Sequence, residues 1–282
     1  MKKLITVIFL LIVLSACGKQ ENQGEITAVS EEVTEIFTVI TATATTAETV
    51  TTIVETTTVT VTETLPVTSR PKSESCKLEV PYYSQSAYPT GCELVSTSML
   101  LAYYDIKLEA SELIDKKYVI SVGLPSEKDG RLIGGDPDKV FIGSPYSSSS
   151  YGCYSGAIFS GLQRTFEGEK KCYKPVSLNG MSLEDICTYY VDYGTPVLVW
   201  ESISMAETFK DELNTWYIED TGEQFTWTSN EHCMVLTGFD SDSYYFNDPL
   251  ASAGISYKKD VAEKRYEEME RQAIAIVPTG KK

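Results

Sequence analysis

The stretch from Gly18 to Ser75 sets the strongest limit on this chain, because it lacks what a folded core needs. Thr, Val and Glu dominate it, Phe37 is its sole aromatic residue, and no glycine follows Gly24. Thr and Val favour extended backbone, yet the turn chemistry that folds one strand back onto the next is missing. Nine glutamates against three basic residues add self-repulsion. Residues 17–75 are therefore expected to form a disordered stalk, which confines folding to residues 76–282.

Ahead of the stalk, residues 1–16 begin with Lys2-Lys3 and run apolar from Leu4 to Leu14. The run is short for a membrane-spanning helix and has the basic and apolar regions of a signal peptide. Leu14-Ser15-Ala16-Cys17-Gly18 resembles the bacterial lipoprotein signal. That resemblance implies a lipid on Cys17, export, and a membrane anchor on the extracytoplasmic face.

Residues 76–282 hold 19 basic and 31 acidic residues, a net charge of −12. Such a surface argues against nucleic acid as a partner and is compatible with cationic peptides. Five cysteines besides Cys17 and Cys92, namely Cys76, Cys153, Cys172, Cys187 and Cys233, cannot all pair within the chain. They form no CxxC and have no histidine at ligand spacing, which argues against a zinc site among them. Export permits bridges, and the spacing leaves the pairing open.

The order of elements points to an α+β domain. Leu78–Tyr83 is expected as a strand, Cys92 to about Tyr104 and Leu108–Lys117 as helices, and Val122–Cys153 as a long irregular stretch. Ser155–Phe166 returns to helical period, and Ser182 N-caps a further helix that Gly194 ends. Thr195–Trp200 is an apolar, buried strand. Between Glu201 and Ser229 the pattern is confused, with Trp216, Phe225 and Trp227 open to both core and cleft readings. Cys233–Phe239, the Asp240–Asp242 turn and Ser243–Asn247 form a hairpin. A helix over Lys259–Arg271 and a strand over Ala273–Val277 close the domain. Helices first and mostly antiparallel strands after them is an α+β order.

The chemistry centres on Pro89-Thr90-Gly91-Cys92-Glu93. A helix start places Cys92 beside unpaired backbone N–H groups and the positive end of the helix dipole, which lowers a thiol pKa. His232 is the single histidine of the chain. Asp248 lies about as far beyond the hairpin turn as His232 lies before it, so the two are expected side by side, with Asp248 orienting the imidazole. Asn247, one residue off, is expected on the opposite face. Gln85, in the loop before Cys92, is a candidate oxyanion donor or a simple loop tie.

Val80-Pro81-Tyr82-Tyr83-Ser84-Gln85, Gly91-Cys92-Glu93, Glu231-His232-Cys233-Met234-Val235-Leu236-Thr237-Gly238-Phe239-Asp240 and Phe246-Asn247-Asp248-Pro249 together resemble the double-glycine leader peptidase family. The likeness covers about residues 78–277 and implies a papain-like cysteine peptidase fold. In that fold a nucleophile helix packs on a mainly antiparallel sheet. Carried across, Cys92 is the nucleophile, His232 the base, Asp248 the orienter and Gln85 the oxyanion donor. The implied substrate is a peptide or protein, cleaved by acyl transfer through a thioester on Cys92, a reaction that needs no metal or organic cofactor. Many members carry Cys-Gly-Pro at the nucleophile, whereas Gly91-Cys92-Glu93 is similar to the stand-alone exported branch. A cell-wall peptide hydrolase or amidase would use the same chemistry, and a non-catalytic surface binding protein could retain the same fold.

Overall fold

The computed structural model describes residues 71–167 and 172–280. The signal segment, Cys17 and the stalk as far as residue 70 lie outside the described residues. Among the described residues, no helix is long and apolar enough to cross a membrane.

The chain enters through β1 (Cys76–Lys77) and runs on to α1 (Cys92–Tyr103) and α2 (Ala110–Asp115). Four short strands follow: β2 (Ser121–Val122), β3 (Ser126–Lys128), β4 (Arg131–Gly134) and β5 (Phe141–Ile142). Next come α3 (Ser155–Phe166), β6 (Tyr173–Ser177), α4 (Leu183–Tyr189) and β7 (Val197–Ser202). The last third holds β8 (Phe209–Ile218), β9 (Gln224–Ser229), β10 (Glu231–Phe239), β11 (Ser243–Asn247), β12 (Ile255–Lys258), α5 (Lys259–Glu268) and β13 (Ala273–Pro278).

The main sheet runs β12-β11-β10-β7-β13-β6, with β1 added beside β10, and its pairings are antiparallel. Both faces are covered, and strict alternation assigns each strand residue to one of them. Leu198, Trp200, Cys233, Val235, Ile274 and Ile276 pack toward α1, α2 and α3. Val197, Val199, Met234, Leu236, Ala273 and Ala275 pack toward α4 and α5. A sheet buried on both sides needs apolar residues at consecutive positions, which is why β7 is apolar over Val197–Trp200, β10 over Cys233–Leu236 and β13 over Ala273–Val277. Helix α1 is itself enclosed, buried from Cys92 to Leu101. Its hydroxyls turn inward without penalty because Thr97 donates to the Glu93 carbonyl (2.6 Å) and Ser98 to that of Leu94 (2.9 Å).

Several boundaries differ from the sequence expectation for identifiable reasons. The first strand is Cys76–Lys77, and residues 78–83 do not form one. Pro81 has no N–H to give a ladder, and the Val80 carbonyl is taken by the Asn247 side chain (2.9 Å). The stretch 122–153 is not wholly irregular; its strands are only two to four residues long, β3 and β4 closing a tight hairpin while β2, β5 and β4 also pair further along the chain, so they are too short to show a period. Residues 209–229 form β8 and β9 of a second sheet, β3-β4-β8-β9. There Trp216 and Trp227 are buried, with half-buried Tyr151, Tyr154 and Phe225 packed against them, so both tryptophans are core. Gly194, at φ 83°, ends a short 3₁₀ turn over Val191–Tyr193 that follows α4. Helix α5 stops at Glu268 because Glu270 and Arg271 take positive φ.

Candidate active site

The loop that precedes α1 is wound on itself. Tyr88 N–H donates to the Gln85 carbonyl (2.7 Å) and Gly91 N–H to that of Tyr88 (3.0 Å). A Cβ on Gly91 would lie 2.8 Å from the Tyr88 Cβ, so the tight approach requires glycine. The Thr90 hydroxyl reaches the carbonyls of Ser144 (3.3 Å) and Ser147 (3.1 Å), which ties the serine-rich run to the start of α1. Cys92 is thus the first residue of a buried helix, as its motif predicts.

Helix α1 meets β10 where β11 has already ended. The β10–β11 pairing stops at Val235–Asn247, leaving the strand edge at Glu231–Met234 unpaired by β11. Ser96, one turn after Cys92, donates to the Cys233 carbonyl at 2.9 Å. The Cys233 N–H faces the Cys92 sulfur. This brings the sulfur next to the residue that follows His232.

The state of that sulfur corrects the sequence expectation. Complete burial pushes the Cys92 thiol well above its ordinary value, and Glu93, Glu231 and Cys233 push it further; only the Cys233 N–H opposes them. A helix N-terminus contributes about 0.3–1 kcal/mol at ordinary sites, and here desolvation outweighs it. The resting sulfur is a neutral thiol. Glu93, immediately after it, is buried with its Oε1 accepting from Cys153 N–H at 2.6 Å. Burial raises its carboxyl to about 7, against the pull of the Cys153 N–H, its own N–H and the Cys92 thiol. Glu231 is buried opposite, raised well above the carboxylate range by desolvation and then by Glu93. Among the described residues, Cys92, Glu93 and Glu231 are the one group able to hold a metal, their ligand atoms within 4.8 Å of one another.

His232 and Asp248 come together as expected, through a different register. A bulge between Leu236 and Gly238 shifts the hairpin. Continued past Val235–Asn247, this register sets Asp248 beside Met234, diagonal to His232 and on the same face. His232 Nε2 lies 2.6 Å from Asp248 Oδ1, both side chains buried. Burial alone would raise the Asp248 carboxyl, but the His232 contact and the N–H groups of Leu250 and Ala251 overcome it and hold the carboxyl below its ordinary value. With Nε2 committed to Asp248, Nδ1 is the ring nitrogen left for other chemistry. Asn247 points to the other face, donating to the Val80 carbonyl and accepting from Gly254 N–H (3.0 Å).

Gln85 is buried, and its backbone N–H donates to the Pro249 carbonyl (3.0 Å), which joins the pre-nucleophile loop to the segment after Asp248. Its side-chain Nε2 makes two long contacts of 3.4 Å to the carbonyls of Tyr88 and Pro89, and its Oε1 has no partner. Gln85 therefore ties the loop in the resting state.

Three contributors escaped the sequence reading. Glu231 opens the motif that contains the single histidine, yet nothing local marks it as part of the site. Cys153 acts through its backbone, giving its N–H to Glu93 and its carbonyl to the Trp200 indole (3.1 Å). Gly152, at φ 128°, lets this segment come close, because a Cβ there would sit 2.2 Å from Glu93 Oε1. Cys92, Cys153, Cys187 and Cys233 are free thiols.

Comparison with known proteins bears on the family and the fold. No curated protein matches the chain. A crystal structure from Bacillus anthracis, described as a candidate C39-like peptidase, is similar at 30% identity and a TM-score of 0.61, covering 74% of this chain and 100% of that one. The α+β architecture is thus that of the papain-type peptidases. A family model described as the Peptidase_C39 like family matches residues 77–274, a span that takes in Gln85, Cys92, His232 and Asp248, and the chain belongs to that family.

Proposed function

We propose that this protein is a cysteine peptidase, exported and held to the outer face of the cell membrane by a lipid on Cys17. The observation that carries the activity is the buried His232–Asp248 pair at 2.6 Å, one residue along the strand from the backbone that faces the Cys92 sulfur. Asp248 fixes the Nε2–H tautomer, so Nδ1 is the basic nitrogen. Cys92 gives its proton to Nδ1 as the sulfur adds to a peptide carbonyl. The carbonyl oxygen becomes an oxyanion, which Gln85 Nε2 receives on leaving its two long contacts to Tyr88 and Pro89. The imidazolium then protonates the leaving amine, and the C–N bond breaks to leave a thioester on Cys92. Water, deprotonated by His232, releases the acid and restores the thiol. Because the resting thiol is neutral, proton transfer accompanies attack in place of a preformed ion pair.

An activity-based thiol probe on the full chain tests the reading. Labelling is expected in the native protein and lost in Cys92→Ala. Labelling that persists in Cys92→Ala, or disappears only when Cys153 or Cys233 is changed, refutes it. Products read by mass from a peptide library beside purified peptidoglycan define the substrate. The anchor is tested by metabolic labelling with a fatty-acid analogue, which Cys17→Ala should abolish.

A further inference from the structure

The carboxylates beside Cys92 have a feature that the peptidase mechanism does not use. Glu93 has one oxygen anchored by Cys153 N–H, while its Oε2 is buried without a hydrogen-bond partner. Glu231 Oε1 is likewise buried and unpartnered. These side chains are 0% and 8% exposed. Unsatisfied buried carboxyl oxygens are costly, and two of them converging on one thiol call for a ligand.

The geometry points to a divalent zinc site formed by Cys92 Sγ, Glu93 and Glu231. Zinc takes thiolate sulfur at about 2.3 Å and carboxylate oxygen at about 2.0–2.2 Å in tetrahedral array, which sets ligand atoms roughly 3.5 Å apart. Here they lie within 4.8 Å of one another, so inward shifts of about an ångström close the site. The Cys153 N–H on Glu93 Oε1 is the outer-shell bond that orients a ligating carboxylate and leaves its other oxygen for the ion. A set of one sulfur and two oxygens selects zinc over magnesium or calcium, which prefer all-oxygen shells. Three protein ligands leave a fourth position for water. On binding, the thiol and carboxyl protons pass to solvent and the ion offsets two of the three negative charges they leave. The chain's CxxC-free cysteine spacing gives no hint of this site, because two ligands come from α1 and the third from β10. The consequence for cleavage rests on Cys92 being the nucleophile: a zinc-bound sulfur cannot attack, so the loaded form is a resting state protected from oxidation.

Binding itself is read without any cleavage assay. The chelator-treated full chain, in detergent, is titrated with Zn²⁺ against a competing zinc dye, and with Cd²⁺ for the thiolate-to-metal absorption band. The native chain is expected to bind one Zn²⁺ and to resist alkylation at Cys92 when loaded. Glu93→Gln and Glu231→Gln should each weaken binding at least tenfold, and Cys92→Ser should remove the Cd²⁺ band. Cys233→Ser and His232→Ala should retain it. Circular dichroism of the near-isosteric Gln variants verifies that they fold. Undiminished affinity in both Gln variants, or loss in His232→Ala with the Gln variants intact, moves the metal to a Cys–His pair and overturns the proposal. The absence of stoichiometric binding overturns it outright, while thiol-probe labelling of Cys92 would still stand or fall separately.

Discussion

Replacing Glu93 by Gln should make the fold more resistant to alkaline pH. The Glu93 carboxyl titrates at about 7 in the native state, against 4.5 for an ordinary glutamate. Below the lower value both native and unfolded chains carry the proton, and burial of the neutral acid exacts no titration penalty. Between the two values unfolding releases a proton, so each rise in pH favours the unfolded chain. The native advantage is therefore complete below 4.5 and lost as pH climbs through about 7. A displacement of this size corresponds to about 3 kcal/mol, at about 1.36 kcal/mol per pH unit. Glutamine keeps an oxygen for the Cys153 N–H and cannot ionise, so the variant escapes the loss. In a domain of this size 1 kcal/mol moves Tm by about 2–4 °C, which predicts a Tm gap that opens by roughly 6–12 °C between about pH 4 and pH 8. Thermal unfolding of both proteins, followed by circular dichroism in chelator-containing buffers, measures the gap, and titrating groups remote from Glu93 cancel in the difference. Curves that stay parallel across this range would refute the placement of Glu93 as a buried, proton-retaining acid.

Removing the Glu93 charge should also lower the Cys92 thiol pKa, since Glu93 is among the groups that raise it; alkylation of Cys92 at neutral pH should be faster in Glu93→Gln, and an unchanged rate would disconnect the two residues. His232→Ala should abolish turnover, because no second histidine exists. Asp248→Asn should remain folded yet lose on the order of 10²–10⁴-fold in kcat, as general-base catalysis is worth about that much; full activity in either variant excludes the proposed base and orienter. Gln85→Ala should lower kcat by about 10²–10³-fold if Nε2 receives the oxyanion, whereas a loss of stability alone, with kcat intact, would leave Gln85 as a loop tie. Gly152→Ala places a Cβ 2.2 Å from Glu93 Oε1 at a φ of 128°, and urea unfolding should register a loss of more than about 1 kcal/mol.

Much of the site was legible before any coordinates. The helix start at Cys92 follows from local chemistry, an apolar period behind a Pro-Thr-Gly turn. The single histidine narrowed the base to one residue, and the Asp240–Asp242 turn marked the hairpin that carries Asp248 to it. Even there the pairing rule worked through a compensation. Continued from Phe239–Tyr244, the register would set Asp248 opposite Val235 on the face away from His232; the bulge at Leu236/Gly238 moves it opposite Met234, and the contact forms because diagonal residues on one face are within reach of long side chains. The short strands of residues 121–142 were invisible because two to four residues are too few to show a period, even in the local β3–β4 hairpin.

What the sequence determined by itself is what depends on neighbours along the chain: the buried strands, the capped helices, the hairpin, and the inventory of one nucleophile, one imidazole and one well-placed carboxylate. What only the tertiary structure decided is the electrostatic state of that inventory. The helix start alone predicts a low-pKa thiol at Cys92. The fold instead encloses it with Glu93 and Glu231, brings the Cys153 backbone over Gly152 to hold Glu93, and so keeps the thiol protonated. Desolvation decides this outcome, and desolvation is set by atoms from α1, β10 and the segment before α3, which meet only once the whole domain has closed around them.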